Sequence, residues 1–402
     1  MARRLPAAGE NLFQRIKRIR NEYERSTGNR SVNLSVGEPD GVPTEITRSA
    51  AAVACMSTEQ RMHVYQDNGE PEGFSRKLAG YHLSDRVLGH PGLKTLPLPG
   101  IKPMIGLLPL ACGANREDSL RVVVAGTTKP GYPVIKTWST YLGCSYADWP
   151  LYARNNFRPQ LADAPFARDD KTNRLVLFNY PNNPTGAVMS PDGWREICRW
   201  AVDNDVRLVN DAAYAGLVHG DHTMLGEIAI EFDGLEWIEL FSASKSHNAT
   251  GWRVGAAIGS EDFVADLAMI KGNTDSGFSA PMAVGITRAV DEDREGLERI
   301  RATYGKRIEI LVSLLSPYLK LATKPDAGFF TFWHAPKSAF SERFDTADAY
   351  NTAMIERVGL VGVPYSGSDG EYIRYAVCFP VEEQRVQDAI RKAMDTAKPA
   401  YE

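Results

Sequence analysis

The 402-residue sequence predicts an α/β fold, with a large domain built on a mostly parallel sheet between helices and a smaller α+β domain. Two observations lead to this class. Between about residues 120 and 260, short β-branched runs end in loops rich in Gly, Pro, Asn or Ser, and helical segments alternate with them. After about residue 291 the alternation stops, and a long helical pattern precedes two strand-like stretches. A ligand of the large sheet is expected beyond the carboxyl ends of its strands.

Each predicted element follows from a local pattern. Apolar residues on one face of residues 11–25 predict an amphipathic helix whose basic face is solvated. Ser190 before Pro191 predicts the start of a helix that joins two strands of a βαβ unit. The strands of the large sheet are predicted at residues 121–125, 174–179, 206–210, 237–241 and 253–258. The smaller domain is predicted to have a long helix after residue 291, strands at 328–334 and 372–379, and a helix at 381–397.

The composition is that of an ordinary globular protein, with 43% hydrophobic residues, 24% charged residues and a net charge of −4. These values exclude an acidic disordered chain, a collagen and a low-complexity array. The near-neutral balance gives no electrostatic signal for nucleic acid or for an anionic membrane. A small molecule is therefore the expected partner.

Cysteine usage and the N-terminal charges favour the cytoplasm. The five cysteines lie too far apart for a paired or zinc-binding motif, so we expect buried thiols in a reducing compartment and no metal site. The longest apolar run, at residues 103–114, is shorter than the roughly 18 residues that a membrane span needs. The charges of the first 20 residues continue where a secretory signal needs an apolar stretch.

The most informative segment follows the predicted strand 237–241. It contains Lys245 between Ser244 and Ser246, and Arg253 in a Gly-x-Arg-x-Gly frame. Hydroxyl groups and a guanidinium bind a phosphate dianion, and a neutral lysine amine forms a Schiff base with an aldehyde. Pyridoxal phosphate carries both of these groups, so the segment points to this cofactor.

Residues that follow the other predicted strands match the remaining needs of pyridoxal phosphate. Asp211 follows strand 206–210 and could keep the pyridine nitrogen protonated. Asn183 and Tyr214 could hydrogen-bond the phenolate oxygen of the ring, and Tyr132 could cover the ring face. Two structural alternatives stay open, since Asp211 could be a helix cap and residues 179–186 could be an ordinary tight turn.

These segments together resemble the class I/II aminotransferases of the pyridoxal-phosphate-dependent fold type I superfamily, which are aspartate aminotransferase-like. The resemblance covers nearly the whole chain, and its motifs occur in the family's order. They are Val36-Gly-Glu-Pro-Asp40, Tyr65, Asn68-Gly-Glu-Pro71, Gly100-Ile-Lys102, Pro130-Gly-Tyr-Pro133, Asn183-Pro-Thr-Gly186, Asp211 to Tyr214, Ser242 to Gly255 and Tyr372-Ile-Arg374.

The resemblance implies a role for each residue around the ring of the cofactor. Lys245 would form the internal aldimine and would move the proton between the substrate α-carbon and the cofactor. Asp211 would pair with the pyridinium, and Tyr214 with Asn183 would hold the phenolate. Tyr132 would stack on the ring. Lys245, Asp211 and Tyr214 are therefore the implied catalytic residues.

The resemblance also implies how phosphate and substrate are bound. The implied phosphate ligands are Ser242, Ser244, Arg253, Ile101 and Lys102. Arg374 would bind the substrate α-carboxylate in a bidentate manner, with help from Gly37 and Asn183; the alternative is an outward charge on an alternating strand. Tyr65 would reach the phosphate of the neighbouring subunit, so a homodimer is implied.

The sequence departs from the family pattern at two places. Ile101 can offer only its backbone to the phosphate, and Pro103 stiffens the turn that follows. Residues 211–214 read Asp-Ala-Ala-Tyr, which lacks the family's second acidic residue, and neither change removes an essential group. Residues 273–279 resemble an interface loop of the diaminopimelate-type branches. The resemblance implies a large cofactor domain at 45–290 and a discontinuous small domain from 1–44 and 291–402.

The predicted activity is transfer of the amino group of an L-amino acid to a 2-oxo acid, by a ping-pong mechanism through pyridoxamine phosphate. The same residues also suit a carbon–sulfur lyase, a decarboxylase or an amino-acid oxidase. A regulator on this fold would need an added DNA-binding module, and a dehydrogenase would need a Gly-x-Gly-x-x-Gly segment after a strand. The substrate side chain is not specified. Arg20 or a lysine near 271 could bind a second carboxylate, although a surface charge is the preferred interpretation of both.

Overall fold

A computed structural model describes residues 12–114, 121–166 and 172–402 of the chain. Its strands, in chain order, are β1 (Val32–Asn33), β2 (Leu93–Leu98), β3 (Val122–Gly126), β4 (Ser145–Asp148), β5 (Asn173–Phe178), β6 (Val206–Asp211), β7 (Trp237–Ser242), β8 (Gly255–Ser260), β9 (Phe330–His334), β10 (Ser338–Ala339), β11 (Glu342–Arg343), β12 (Leu360–Val361), β13 (Val363–Ser366) and β14 (Glu371–Ala376).

The helices alternate with these strands through most of the chain. They are α1 (Leu12–Thr27), α2 (Glu45–Cys55), α3 (Phe74–Gly80), α4 (Asp85–Leu88), α5 (Ile101–Ala111), α6 (Val134–Leu142), α7 (Pro191–Asp203), α8 (Leu225–Ala229), α9 (Ala243–Ser246), α10 (Glu261–Gly272), α11 (Ala280–Glu292), α12 (Arg294–Leu315), α13 (Ala347–Val358) and α14 (Gln384–Ala397).

The large sheet has seven strands in the order β2-β8-β7-β6-β5-β3-β4. Its strands run parallel except β8, which is antiparallel to both β2 and β7. Alternate side chains of β5 enter two different cores, since Val176 and Phe178 pack on one face of the sheet while Leu175 and Leu177 pack on the other. Helices therefore cover both faces, as the α/β class requires.

Local signals explain how the helix between β5 and β6 is placed. The Ser190 side chain accepts a hydrogen bond from the backbone N–H of Gly193, and Pro191 occupies the first turn of α7. Trp194, Ile197 and Cys198 are buried on one side of this helix. The predicted βαβ unit is thus present, with its predicted cap.

A second, three-stranded antiparallel sheet, in the order β13-β14-β9, forms the core of the C-terminal part with α12, α13 and α14. The N-terminal arm joins this part, because β1 pairs in parallel with β12. Residues before and after the large sheet therefore share one core. This arrangement supports the division into 45–290 and 1–44 with 291–402, which stays a prediction.

Several sequence-based expectations differ from the structure. The helix predicted at 11–25 spans Leu12–Thr27, and Asn11 lies outside the described residues. Strands β2 and β4 were not predicted, because Pro97 lies within the first and the second has only four residues. Cys55 is exposed, whereas the other four cysteines are buried as expected.

Neither a membrane span nor a metal cluster is found in the part of the chain that the structure describes. In residues 12–114, 121–166 and 172–402, no helix is both long and apolar enough to cross a membrane. The same residues contain no group of three or more His, Cys, Asp or Glu side chains placed to hold a metal ion.

Candidate active site

A cavity of about 750 Å³ lies where β5, β6 and β7 end. Asn179, Asp211 and Ser242, which lie at or just after the carboxyl ends of these strands, line it. Parallel strands bring these ends to one edge of the sheet, which is where α/β proteins bind ligands. Segments from the N-terminal arm and from β14 complete the wall.

The predicted residues of one subunit come together around this cavity. Those that line it are Gly37, Ile101, Lys102, Tyr132, Asn183, Asp211, Tyr214, Ser242, Ser244, Lys245, Arg253 and Arg374. Tyr65 does not line it and is 81% exposed. Its predicted contact with a neighbouring subunit stays a prediction.

Lys245 lies in α9, directly after β7, and its amine points into the cavity. The Nζ atom donates a hydrogen bond to the backbone oxygen of Gly37 at 2.9 Å. Burial lowers the pKa of this amine, and the positive charges of Arg374 and Arg253 lower it further. Cys378 and Glu38 act in the opposite direction and are outweighed. A lowered pKa raises the fraction of neutral amine, which is the nucleophilic and basic form.

Asp211 ends β6 and is only 5% exposed. Burial raises the pKa of its carboxyl group to about 6, although the backbone N–H of Ala213 and the charge of Lys245 both favour the ionised form. A buried carboxylate is stable when a cation neutralises it. A protonated pyridine nitrogen is a cation of suitable size for this position.

Arg374 lies on β14 with only 2% of its surface exposed. Its Nη1 atom donates to Oδ1 of Asn183 at 3.0 Å, and its Nη2 atom donates to the Ser35 backbone oxygen at 2.9 Å. The Nε atom is buried without a partner. Among the described residues, no carboxylate lies within ion-pair distance of this guanidinium. A buried cation without a counterion is a binding site for a small anion.

The predicted phosphate ligands lie around the start of α5 and the loop after α9. Nη1 of Arg253 donates to the Ser244 hydroxyl at 3.4 Å and to the Thr250 backbone oxygen at 3.0 Å. Helix α5 begins at Ile101, so its first N–H groups lie beside this guanidinium, and such groups bind phosphate. Gly100 has φ +76°, and a Cβ there would overlap Nη2 of Arg253. The start of α5 and the Arg253 guanidinium, together with Lys245, Asp211 and the unpartnered Nε of Arg374, fit pyridoxal phosphate.

Replacing Gly100 by alanine is expected to weaken binding of pyridoxal phosphate by at least 10-fold, because the new Cβ displaces Arg253 and strains a left-handed residue by about 1 kcal/mol. Titration of the cofactor-free protein with pyridoxal phosphate measures the change. Gly92→Ala is the matched control, since Gly92 has φ +78° and open space around its Cβ position. A similar loss of affinity in both variants would contradict the role of the start of α5 and Arg253 in binding the phosphate.

The aromatic residues have different surroundings. Tyr214 is buried against Phe329 and Phe330, with ring centroids 5.5 Å apart in each pair. Burial holds the pKa of its phenol well above the usual value, so the hydroxyl stays a hydrogen-bond donor. Tyr132 lies beside Lys102, whose Nζ atom is 5.8 Å from the centroid of the ring.

Sequence reasoning missed the contribution of α1 to the cavity. Phe13, Ile16, Lys17 and Arg20 all line it, so the surface-charge interpretation of Arg20 is wrong. Their spacing of three, one and three residues places them on one side of a helix, a signal that was present in the sequence.

The interpretation of Lys271 as a surface charge is also wrong, because its side chain is fully buried. Its amine donates to the Asp67 backbone oxygen at 2.7 Å and pairs with Asp275 at 2.8 Å. Lys271 therefore fixes a loop and does not line the cavity.

Comparisons with known proteins agree with this geometry. The family model described as Aminotransferase class I and II matches residues 29–391. An LL-diaminopimelate aminotransferase of Syntrophobacter fumaroxidans is 32% identical over 401 residues, which cover 97% of each chain. Another, of Methanocaldococcus jannaschii, is 30% identical over 94% of this chain and 90% of that protein.

Solved structures with the same fold include aspartate aminotransferases. A double mutant of the Thermus thermophilus enzyme matches with a TM-score of 0.80, at 21% identity over 98% of each chain. The Thermotoga maritima enzyme also matches with a TM-score of 0.80, at 20% identity over 98% of this chain and all of that one.

Fold, cavity and comparisons define a pyridoxal-phosphate-dependent aminotransferase. The chain belongs to the class I and II aminotransferase family. Members of this family use pyridoxal phosphate. The prediction of fold type I, with its mostly parallel sheet, is confirmed.

Proposed function

We propose that the enzyme transfers the amino group of an L-amino acid to a 2-oxo acid by a ping-pong mechanism. The observation that carries this proposal is the shared cavity of Lys245 and Arg374, an amine of lowered pKa and a buried guanidinium without a carboxylate partner in the described residues. Such a pair can bind an α-carboxylate and take up the α-proton of the same molecule. The two half-reactions can use this site in turn.

The residues of this chain would hold the cofactor as their geometry suggests. Lys245 would bind its aldehyde carbon, Asp211 would pair with the ring nitrogen, and Asn183 with Tyr214 would contact the phenolate oxygen. Tyr132 would cover the ring, and the phosphate would be held by Ser242, Ser244, Arg253, Ile101 and Lys102. When bound, pyridoxal phosphate withdraws electrons from the substrate α-carbon.

The protein then supplies orientation and proton transfer. Arg374 would fix the α-carboxylate through Nη1 and Nη2, while Asn183 and the Ser35 oxygen hold the guanidinium in place. The Lys245 amine would take the α-proton, and its lowered pKa raises the fraction of the neutral, basic form. The backbone oxygen of Gly37 positions this amine.

Spectroscopy of the two half-reactions tests the proposal. The purified enzyme should show the visible absorption of bound pyridoxal phosphate, and an amino donor without acceptor should convert it to the pyridoxamine form. One equivalent of 2-oxo acid and no ammonia should be released. A carbon–sulfur lyase, a decarboxylase or an oxidase would instead release a thiol, carbon dioxide or ammonia over many turnovers, and that result would contradict transamination.

A candidate donor comes from the names of the relatives. Proteins that are 30–32% identical over nearly the full length are named LL-diaminopimelate aminotransferase. LL-diaminopimelate is therefore the first donor to test, with 2-oxoglutarate, pyruvate and oxaloacetate as acceptors. Its rate should exceed that of a donor panel by at least 10-fold if the chain shares this substrate.

We also propose a homodimer located in the cytoplasm. Tyr65, at 81% exposure, lies outside its own cavity with the exposed side chains of Val64, Val53 and Met56 nearby in the chain. An apolar group of this kind is typical of a protein interface. Light scattering should give twice the monomer mass, and Tyr65→Phe should weaken binding of the cofactor if Tyr65 reaches the phosphate in the partner.

A further inference from the structure

Helix α1 presents two cations to the cavity that the proposed function does not use. Lys17 and Arg20 line the cavity together with Phe13 and Ile16. The helix is fixed in position, because Ile16 and Ile19 pack against Ile355, Val361 and Val363 and the Arg15 side chain pairs with Asp348. The packing of α1 through Ile16 and Ile19 therefore determines where the two cations lie.

Arg20 forms no close ion pair in the described part of the chain. Its Nε atom is buried without a hydrogen-bond partner, and its Nη2 atom donates to the neutral side chain of Asn21 at 2.9 Å. Among the described residues, no carboxylate lies within ion-pair distance of its guanidinium. The carboxylate of Glu24, one turn away on α1, accepts hydrogen bonds from the backbone and hydroxyl of Ser31. These bonds lower the pKa of Glu24 most, and the charge of Arg20 contributes less. A half-buried guanidinium in this state favours an anion supplied from outside the protein.

The charges of the cavity wall support the same conclusion. Among the described residues, the cations that line it are Lys17, Arg20, Lys102, Lys245, Arg253 and Arg374, and the carboxylates are Asp211 and Glu38. Four of these cations have a ligand in the proposed function. Lys245 takes the cofactor aldehyde, Lys102 and Arg253 take its phosphate, and Arg374 takes the α-carboxylate. Glu38 accepts a hydrogen bond from Thr250 at 2.8 Å. Lys17 and Arg20 remain, so the cavity is suited to one further negative charge.

We propose that Arg20, with Lys17 beside it on α1, binds a carboxylate on the side chain of the substrate. The preferred donors and acceptors are then amino acids and 2-oxo acids with a second carboxylate. This inference rests on the proposed function, because it takes Arg374 as the ligand of the α-carboxylate. Arg20 is the specificity-determining residue, since its Nε atom is the buried one.

Matched substrates isolate the second charge. Glutamate and glutamine have similar shapes, as do 2-oxoglutarate and 2-oxopentanoate, but only the first of each pair carries a second carboxylate. In the wild-type enzyme, kcat/KM should be at least 10-fold higher for glutamate than for glutamine. Arg20→Gln should lower kcat/KM for glutamate by about 10- to 100-fold, mainly through KM, and change that for glutamine by less than about 2-fold. Calorimetry should show the same loss for glutarate and none for butyrate.

Arg25→Gln is the matched control, because it removes the same charge from an exposed position of α1 that does not line the cavity. It should leave both substrates unaffected, and Arg20→Lys should keep part of the preference. Equal use of glutamate and glutamine by the wild type, or an equal loss for both in Arg20→Gln, would overturn the inference. The spectral half-reaction would still succeed in that case, whereas failure of the proposed function would abolish it with every donor.

Discussion

Lys245→Ala is expected to reduce transamination by on the order of 10⁴-fold or more, because the variant lacks the amine that we propose as both the cofactor-binding group and the base that moves the α-proton. The wild-type enzyme treated with borohydride should carry the cofactor covalently on the peptide that contains Lys245. In Lys245→Ala the visible absorption of bound pyridoxal phosphate should be lost. Added small primary amines should restore part of the activity, since the cavity space left by the side chain is open to them.

The control for this variant is Lys94→Ala, which removes a half-exposed lysine that pairs with Glu261 on the surface. It should retain wild-type activity and absorption. Circular dichroism and the melting temperature should show that both variants are folded. A Lys245→Ala enzyme with more than about 1% of wild-type activity, in the absence of added amine, would exclude Lys245 as the base.

Asp211→Asn is expected to lower kcat by about 10³-fold, because an amide cannot hold the ring nitrogen in its protonated form. That loss equals roughly 4 kcal/mol, the size of a close ion pair at an effective dielectric constant of about 20. Pyridoxal phosphate should still bind, since its phosphate ligands are unchanged. Asp192→Asn removes a carboxylate from the exposed start of α7 and should leave kcat at the wild-type value.

Asp211→Asn should raise the stability of the cofactor-free protein, although it lowers kcat. Burial raises the pKa of Asp211 from 3.8 to about 6 in the folded state, so the folded state binds more protons than the unfolded state between these values. Unfolding free energy therefore falls as the pH rises from about 4 to 6, by up to about 3 kcal/mol from this group.

Asp211→Asn should remove this pH dependence. The cofactor-free variant should be more stable than the cofactor-free wild type at pH 7.5, and the two should be similar at pH 4. Urea unfolding at both pH values measures the difference. If the variant is less stable than the wild type at pH 7.5, the carboxylate has a stabilising partner within the protein, and its proposed role toward the cofactor is wrong.

The position of the cavity at the ends of the strands could be predicted from the sequence because the relevant signals are local. Strands β5, β6 and β7 are short buried runs, and the polar residues that follow them must meet at one edge of a parallel sheet. Lys245 could be identified because a lysine between two serines, followed by Arg253 in a glycine-rich frame, suits an aldehyde and a phosphate on the same molecule. Ser244, Lys245 and Arg253 line the cavity, whereas Ser246 does not.

Other features could not be predicted because the patterns that encode them are ambiguous. The period of two in a strand carries no direction, so the antiparallel course of β8 was not indicated. A basic face on an amphipathic helix has the same pattern whether it faces water or a cavity, and so Arg20 was placed on the surface. Lys271 was misjudged because its partners, Asp275 and the Asp67 backbone, are brought together by loop folding.

The separation of the cavity wall into different segments has an evolutionary consequence. The proposed reaction chemistry depends on Asp211 at the end of β6 and on Lys245 after β7, whereas the inferred selectivity depends on α1, a 16-residue helix with no residue in the large sheet. Mutations in this helix can change which metabolites the enzyme accepts while the groups around the cofactor remain intact. Under the inference above, substrate choice in this enzyme can therefore change through the composition of a single peripheral helix.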